Sequence, residues 1–238
     1  MAVARGGKAV YGAPLGILML DARFPRIPGD MGNALTWPFP VLYRVVPGAT
    51  PERVVLEGAR GLLPHFLAAA AELVALGAEA ITTNCGFLSL FQRELAAHVG
   101  VPVATSALMQ VPWVQATLPP GQRVGVVTVS SASLSAAHLQ AAGVPEGTPV
   151  AGTENGREFF RVLIRGEGED MDIDLARQDV LEAGQDLVRR HPDVGAIVLE
   201  CTNMPPYAGA LREATGRPVY DIYAMIAWFH AGLRPRAW

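Results

Sequence analysis

The chain carries two cysteines, Cys85 and Cys201, and each closes an apolar run: "EAITTNC" at 79–85 and "AIVLEC" at 196–201. A thiol becomes a proton acceptor and nucleophile once ionised. Its pKa of about 8.5 falls beside cations or well-placed backbone N–H groups. Two thiols in matched settings suit a symmetric task, taking a proton from one face of a carbon and returning one to the other. A free cysteine is equally at home as a small inert filler of a buried strand. What surrounds the two must decide between these readings.

Other chemistries find little support. All but one of the 19 basic residues are arginine, and the sole lysine, Lys8, lies in the N-terminal tail. Pyridoxal phosphate needs a core lysine for its Schiff base, so that cofactor is excluded. The five histidines and two cysteines form no spaced pair of metal-ligand type, and no Gly-rich phosphate loop is present. No cofactor and no metal are expected. A net charge of −3, without a basic block, gives no footprint for nucleic acid. Hydrophobic residues make up 50% of the chain and charged residues 17%, enough apolar material for a large core. The longest apolar stretches, such as "FLAAAAELVALGA", fall short of the roughly 18 residues of a membrane span. The opening "MAVARGGKAVYGAPLGILML" reads as a tail and first buried strand rather than a cleaved leader, so a cytoplasmic protein is expected.

The elements that must position the thiols follow from pattern. Four apolar runs read as strands: 15–20, 80–85, 123–129 and 196–201. Thr50 and Pro51 start a helix that the sequence carries to Leu76, broken near Pro64 and capped by Gly77. Asp174 opens another helix, with basic residues in its last turn. Strands alternating with helices imply a parallel sheet covered on both faces.

Aligned on their cysteines, the two halves match. Ala80–Ile81 pairs with Ala196–Ile197, Phe91 with Tyr207, Leu95 with Leu211 and Gly100 with Gly216. Pro102–Val103 pairs with Pro218–Val219, and "LGILMLD" with "VGVVTVS". An internal duplication is the preferred reading, with chance matching of abundant small residues as its rival. The expected fold is α/β: two pseudo-symmetric parallel-sheet units, 1–110 plus 215–238 and 111–214, with the site in the cleft between them. Ligands of open parallel sheets bind beyond the carboxyl ends of strands, where both cysteines would lie.

Those motifs, above all "TNCGF" at 83–87 and "LECTN" at 199–203, resemble the aspartate/glutamate racemase superfamily. The resemblance runs from "LGILMLD" to "PVYDIYAMIAWF". It implies a cofactor-independent enzyme in which Cys85 and Cys201 are an opposed acid–base pair. Asn84, Gly86 and Phe87 beside the first thiol, and Thr202 and Asn203 beside the second, are then implied to hold the substrate. Ser130 and Ser131 fall in the loop where the second half supplies hydroxyls. Three departures point away from glutamate as substrate. The first loop is "DARFPRIPGDMGN", Asn203 replaces a histidine, and Glu200 replaces a glycine.

The first loop is dense in polar groups: Asp21, Arg23, Arg26, Asp30 and Asn33. Arg26 could clamp a carboxylate or pair with Asp30 at the surface. In "TWPFPVLYRVV", Trp37 and Phe39 read as a lid, as packing, or as a dimer contact, and Tyr220 and Asp221 as a border of the cleft. The expected partner is a small acidic molecule, with a homodimer left open. The function expected is racemisation or epimerisation of a small carboxylate-bearing or amino-acid-like substrate, hydantoins included, by two-cysteine acid–base catalysis. The alternatives are cis–trans isomerisation of an unsaturated diacid through one nucleophilic cysteine, and a non-catalytic small-acid binding protein.

Overall fold

The computed structural model describes residues 3–4 and 6–236. In chain order the elements are β1 (Leu15–Leu20), β2 (Val41–Val46), α1 (Pro51–Val55), α2 (Leu63–Leu76), β3 (Ala80–Thr83), α3 (Gln92–Val99), β4 (Val103–Ala104) and α4 (Val111–Thr117). There follow β5 (Arg123–Thr128), α5 (Ala136–Ala141), β6 (Val150–Gly152), α6 (Phe159–Leu163), α7 (Ile173–Arg190), β7 (Val194–Leu199), α8 (Ala208–Thr215), β8 (Val219–Tyr220) and α9 (Ile222–Leu233). The strands form two four-stranded sheets, ordered β2-β1-β3-β4 and β6-β5-β7-β8, and every pairing is parallel. The same order in both sheets is the duplication that the matched cysteines announce.

The four apolar runs are the central strands. Every residue of β1 and β3 is buried, as are nearly all of β5 and β7. A parallel strand covered on both faces has no polar side to show, so it reads as a continuous apolar run. The edge strands lack that property. β2 exposes Arg44 and Val45, and β4 and β8 are two residues long. The segment 41–46, not among the four strands read from the sequence, is an edge strand in register with β1 from Leu15↔Val41 to Leu20↔Val46.

Helix boundaries follow local chemistry. Thr50 caps α1 by accepting from the Arg53 N–H, and Pro51 occupies its first turn. The break expected near Pro64 comes earlier, at 56–62, and Pro64 sits in the first turn of α2, where its missing N–H costs nothing. Gly77 ends α2 at φ 135°, a conformation that side chains disfavour. The cap of α7 is Asp172 rather than Asp174: its carboxylate accepts from the N–H groups of Asp174 and Leu175.

The unit boundary also differs from expectation. β8 pairs with β7, so the second unit extends past residue 214 and the strand within 215–238 belongs to the second sheet. Only α9 returns to the first unit. His230 stacks on Phe39 at 3.6 Å, Tyr223 on Trp37 at 5.8 Å, and Arg234 pairs with Glu79 at 2.6 Å. In the other half α4 crosses the opposite way, Gln115 accepting from the Val124 N–H at 2.9 Å. The two crossings touch where Gln110 donates to the Asp221 carbonyl at 2.9 Å. Among the described residues no helix is long and apolar enough to cross a membrane.

Candidate active site

In each sheet the chain places its second strand on one side of the first and its third strand on the other, so the loops after β1 and β3, and after β5 and β7, diverge. A crevice opens at such a reversal, beyond the carboxyl ends of the strands. Cys85 and Cys201 lie there, two residues beyond β3 and β7. Both are free thiols and both line one narrow cleft.

The loops are held by the residues beside the thiols. The Asn84 N–H continues the ladder to the Leu18 carbonyl at 2.9 Å, and its side-chain oxygen accepts from the Leu20 N–H at 2.7 Å. Asn84 thus ties the end of β1 to the end of β3. In the second unit the Glu200 N–H donates to the Val127 carbonyl at 2.8 Å. The Thr202 hydroxyl then donates to the Asn84 carbonyl, joining the two thiol loops across the cleft. Asn203 accepts from the Cys201 thiol at 3.5 Å and donates to Asp30.

The electrostatics of the wall are unusual for a site that would grip anions. It is lined by Asn84, Cys85, Gly86, Glu200, Cys201, Thr202 and Asn203, with an apolar surround that includes Phe24, Phe87, Leu163 and Ile164. None of the described residues lining it is Lys, Arg or His. Burial pushes the Cys85 thiol up, and the Glu200 carboxylate adds to the rise; N–H groups of Phe87 and Leu88, and the Arg26 charge, oppose it. Burial also raises Cys201: Glu200, Cys85 and Asp30 all add negative charge there, and only the Asn203 N–H opposes them. Cys85 is therefore the thiol better placed to carry negative charge. Cys201 is better placed to keep its proton.

Cys85, Cys201, Asn84, Gly86, Phe87, Thr202 and Asn203 are brought together as the sequence proposes. Others are not. Ser130 donates to Ser133 at 2.9 Å, and the Ser131 N–H and hydroxyl both point at Glu154; these two serines stabilise a turn and do not line the cleft. Arg26 lies over the Phe24 ring at 4.5 Å and is closed into a pair with Asp30 at 2.9 Å. That pair is largely buried, not superficial, and Arg26 does not itself line the cleft. Trp37 and Phe39 pack against α9 and form no lid. Tyr220 lies in β8, and Asp221 caps α9 by accepting from the Ala224 N–H; neither lines the cleft.

Several wall residues escape sequence reasoning, Glu200 and the apolar Phe24, Leu163 and Ile164 among them. Phe24 belongs to the polar first loop, and Leu163 and Ile164 close the short helix α6. That wall depends on Asp179 of α7. Its buried carboxylate accepts from the N–H groups of Arg157, Glu158 and Phe159 at 2.9, 2.7 and 2.8 Å. Replacing Asp179 by alanine orphans three backbone donors, each costing about 1–3 kcal/mol when it cannot reach water. Asp179→Ala should lower the unfolding midpoint and expose 156–164 to proteolysis. An unchanged midpoint would remove Asp179 from this role.

Beyond Phe24, Pro51, Leu163 and Ile164 the cleft adjoins a wider, open space of about 730 Å³, lined by charges of both signs: Asp21, Arg23, Glu52, Arg165 and Glu169. The pocket that holds both thiols is thus narrow and largely apolar, and its approach is charged.

Comparison with known proteins agrees with this geometry. The model of the Asp/Glu/hydantoin racemase family matches residues 109–229. A dimethylsulfoniopropionate lyase from Durusdinium sp. clade D is 30% identical over 92% of this chain and 75% of its own length. Dimethylsulfoniopropionate lyase 6 of Emiliania huxleyi is 31% identical over 87% of this chain, which spans only 56% of that protein. Among solved structures, allantoin racemase from Pseudomonas fluorescens superposes with a TM-score of 0.59 at 15% identity, over 92% of this chain and 90% of that one. At that identity the likeness is one of fold. With two like-ordered parallel sheets and a thiol at the carboxyl end of each, the chain belongs to the Asp/Glu/hydantoin racemase family.

Proposed function

We propose that the cleft catalyses β-elimination from a small sulfonium carboxylate of the dimethylsulfoniopropionate type, with Cys85 as base. The observation that carries this reading is the charge of the wall: two thiols and a buried carboxyl, with no cationic side chain among the described lining residues. Glutamate or aspartate would bring two carboxylates against one ammonium, a net negative charge, into that surround, and buried charge without a partner is costly. A sulfonium zwitterion is neutral overall. Its positive sulfur favours ionisation of a neighbouring thiol, and the faces of Phe24 and Phe87 are suited to a soft cation. The names of the relatives point to the same substrate.

The steps balance as follows. The Cys85 thiolate removes a proton from the carbon beside the carboxylate, the electron pair forms a carbon–carbon double bond, and the bond to sulfur breaks with its electrons on sulfur. Dimethyl sulfide and acrylate result. Asn84 and nearby backbone N–H groups are the neutral donors available for charge that develops on the carboxylate. The neutral thioether leaves into an apolar wall.

Racemisation is the second reading, favoured by the matched placement of the thiols. It shares the first step; only the fate of the carbanion differs. Headspace gas chromatography after incubation with dimethylsulfoniopropionate, set beside chiral chromatography of aspartate, glutamate and hydantoins, separates them. Release of dimethyl sulfide with no racemised product is expected. Racemised product without the sulfide would reverse the choice, and silence in both assays would favour a binding protein.

A further inference from the structure

Glu200 is fully buried at the cleft wall, and the function derived so far leaves it unused. One carboxyl oxygen, Oε2, accepts from the Thr128 hydroxyl at 2.7 Å. The other, Oε1, is buried with no hydrogen-bond partner. An unpaired buried carboxylate oxygen is expensive, and it is kept at a specific place. A Cβ on Gly86 would fall 2.1 Å from Oε1 and 2.6 Å from the Glu200 carbonyl oxygen. Glycine at 86 is what lets the carboxyl of the second unit reach the thiol loop of the first. Glu200 adjoins Cys201 in sequence, meets the neighbour of Cys85 in space, and its charge acts on both thiols.

We propose that Glu200 is the proton acceptor for the thiols, taking the proton from the base once a cationic substrate is bound and passing it to water after each turnover. This rests on the elimination reading above, whose stoichiometry leaves a proton to be carried away. A zwitterion of zero net charge becomes a neutral thioether and an acrylate anion, so each cycle leaves one proton on the base. That proton moves from Cys85 Sγ to Glu200 Oε1, turning carboxylate into carboxylic acid and thiol into thiolate, and then departs to solvent. Burial pushes the Glu200 carboxyl up to about 7, with the Thr128 hydroxyl opposing the rise. A group of that acidity both accepts and releases a proton near neutrality.

The charged and titratable groups around it are few. Cys85 and Cys201 face it from the two loops. Arg26 and Asp30, paired with each other, act on the thiols from the first loop. The remaining walls from α1 and from Leu163–Ile164 are apolar at the cleft. Below about 7 the carboxyl is protonated and cannot accept, and above it the carboxylate is available and the rate rises.

Glu200→Gln tests this, because the carboxamide oxygen still accepts from Thr128 but takes no proton. In Glu200→Gln, kcat for dimethyl sulfide release should fall about 10²- to 10⁴-fold, as for loss of a general acid–base group, with KM little changed. The pH dependence of Cys85 and Cys201 alkylation by iodoacetamide should lose its inflection near 7. Thr128→Val, which removes the opposing hydrogen bond, should move the inflection to higher pH in a protein with Glu200 intact. A Gln variant that keeps both the rate and the inflection overturns the proposal. So does one that loses rate while the labelling profile stays as in the unaltered protein, which marks a structural role. If the unaltered protein releases no dimethyl sulfide but the labelling inflection disappears with Glu200→Gln, the elimination reading fails and the proton exchange stands.

Discussion

Cys85→Ala should cut dimethyl sulfide release about 10²- to 10⁴-fold, the range for removal of a positioned general base. Cys201→Ala should cut it less. The difference follows from what surrounds each sulfur. Burial and the Glu200 carboxylate raise Cys85, but N–H groups of Phe87 and Leu88 and the Arg26 charge oppose the rise. Cys201 shares the burial and the Glu200 field, donates to Asn203 at 3.5 Å, and faces the added negative field of Asp30 with no cation to oppose it. In a two-base racemase the outcome is symmetric: each alanine variant abolishes interconversion, and each retains proton exchange for only one enantiomer. Initial rates for both variants on one substrate decide the matter. Equal, complete losses in the two would contradict the assignment of Cys85 as sole base.

Asp30→Ala should destabilise the fold by about 3–5 kcal/mol, because breaking a buried ion pair leaves an uncompensated charge behind. The Arg26 and Asp30 side chains are 13% and 4% exposed, and the guanidinium is packed on Phe24. Asp30 also accepts from the Gly32 N–H at 2.7 Å and from the Asn203 amide, so one carboxylate anchors the first loop and braces the second thiol loop. Chemical denaturation should show the loss as a lowered midpoint with an unchanged slope. Replacing both partners, Arg26→Met with Asp30→Ala, should recover much of it, since no orphan charge remains. A single variant within about 0.5 kcal/mol of the unaltered protein, the range of ordinary surface changes, would mean the pair is effectively solvated.

What the sequence disclosed tracks how many faces of an element are buried. Central strands such as "LGILML" must be apolar throughout, so they announced themselves. Edge strand β2, with Arg44 turned to solvent, did not. The thiols were legible because each ends such a run and is followed by turn-forming residues. Ser130 and Ser131 were misplaced because a hydroxyl at a turn serves the backbone as readily as a ligand; here Glu154 takes both Ser131 donors. Glu200 stood in plain view as the lone acid in "AIVLEC". Its role depends on the approach to Gly86 across two units, which no local pattern encodes. Arg26 shows the same limit. The pairing with Asp30, four residues on, was anticipated, but its burial comes from the second unit closing over it through Asn203.

The central claim is that a thiol of this cleft removes the proton beside a carboxylate. It is tested most directly by the rate of dimethyl sulfide release from dimethylsulfoniopropionate deuterated at that carbon, compared with the unlabelled compound. Proton abstraction by Cys85 predicts slower release from the deuterated substrate, and no mass added to either cysteine during turnover. Equal rates, with a covalent adduct on Cys85 or Cys201 seen by mass spectrometry, would contradict it.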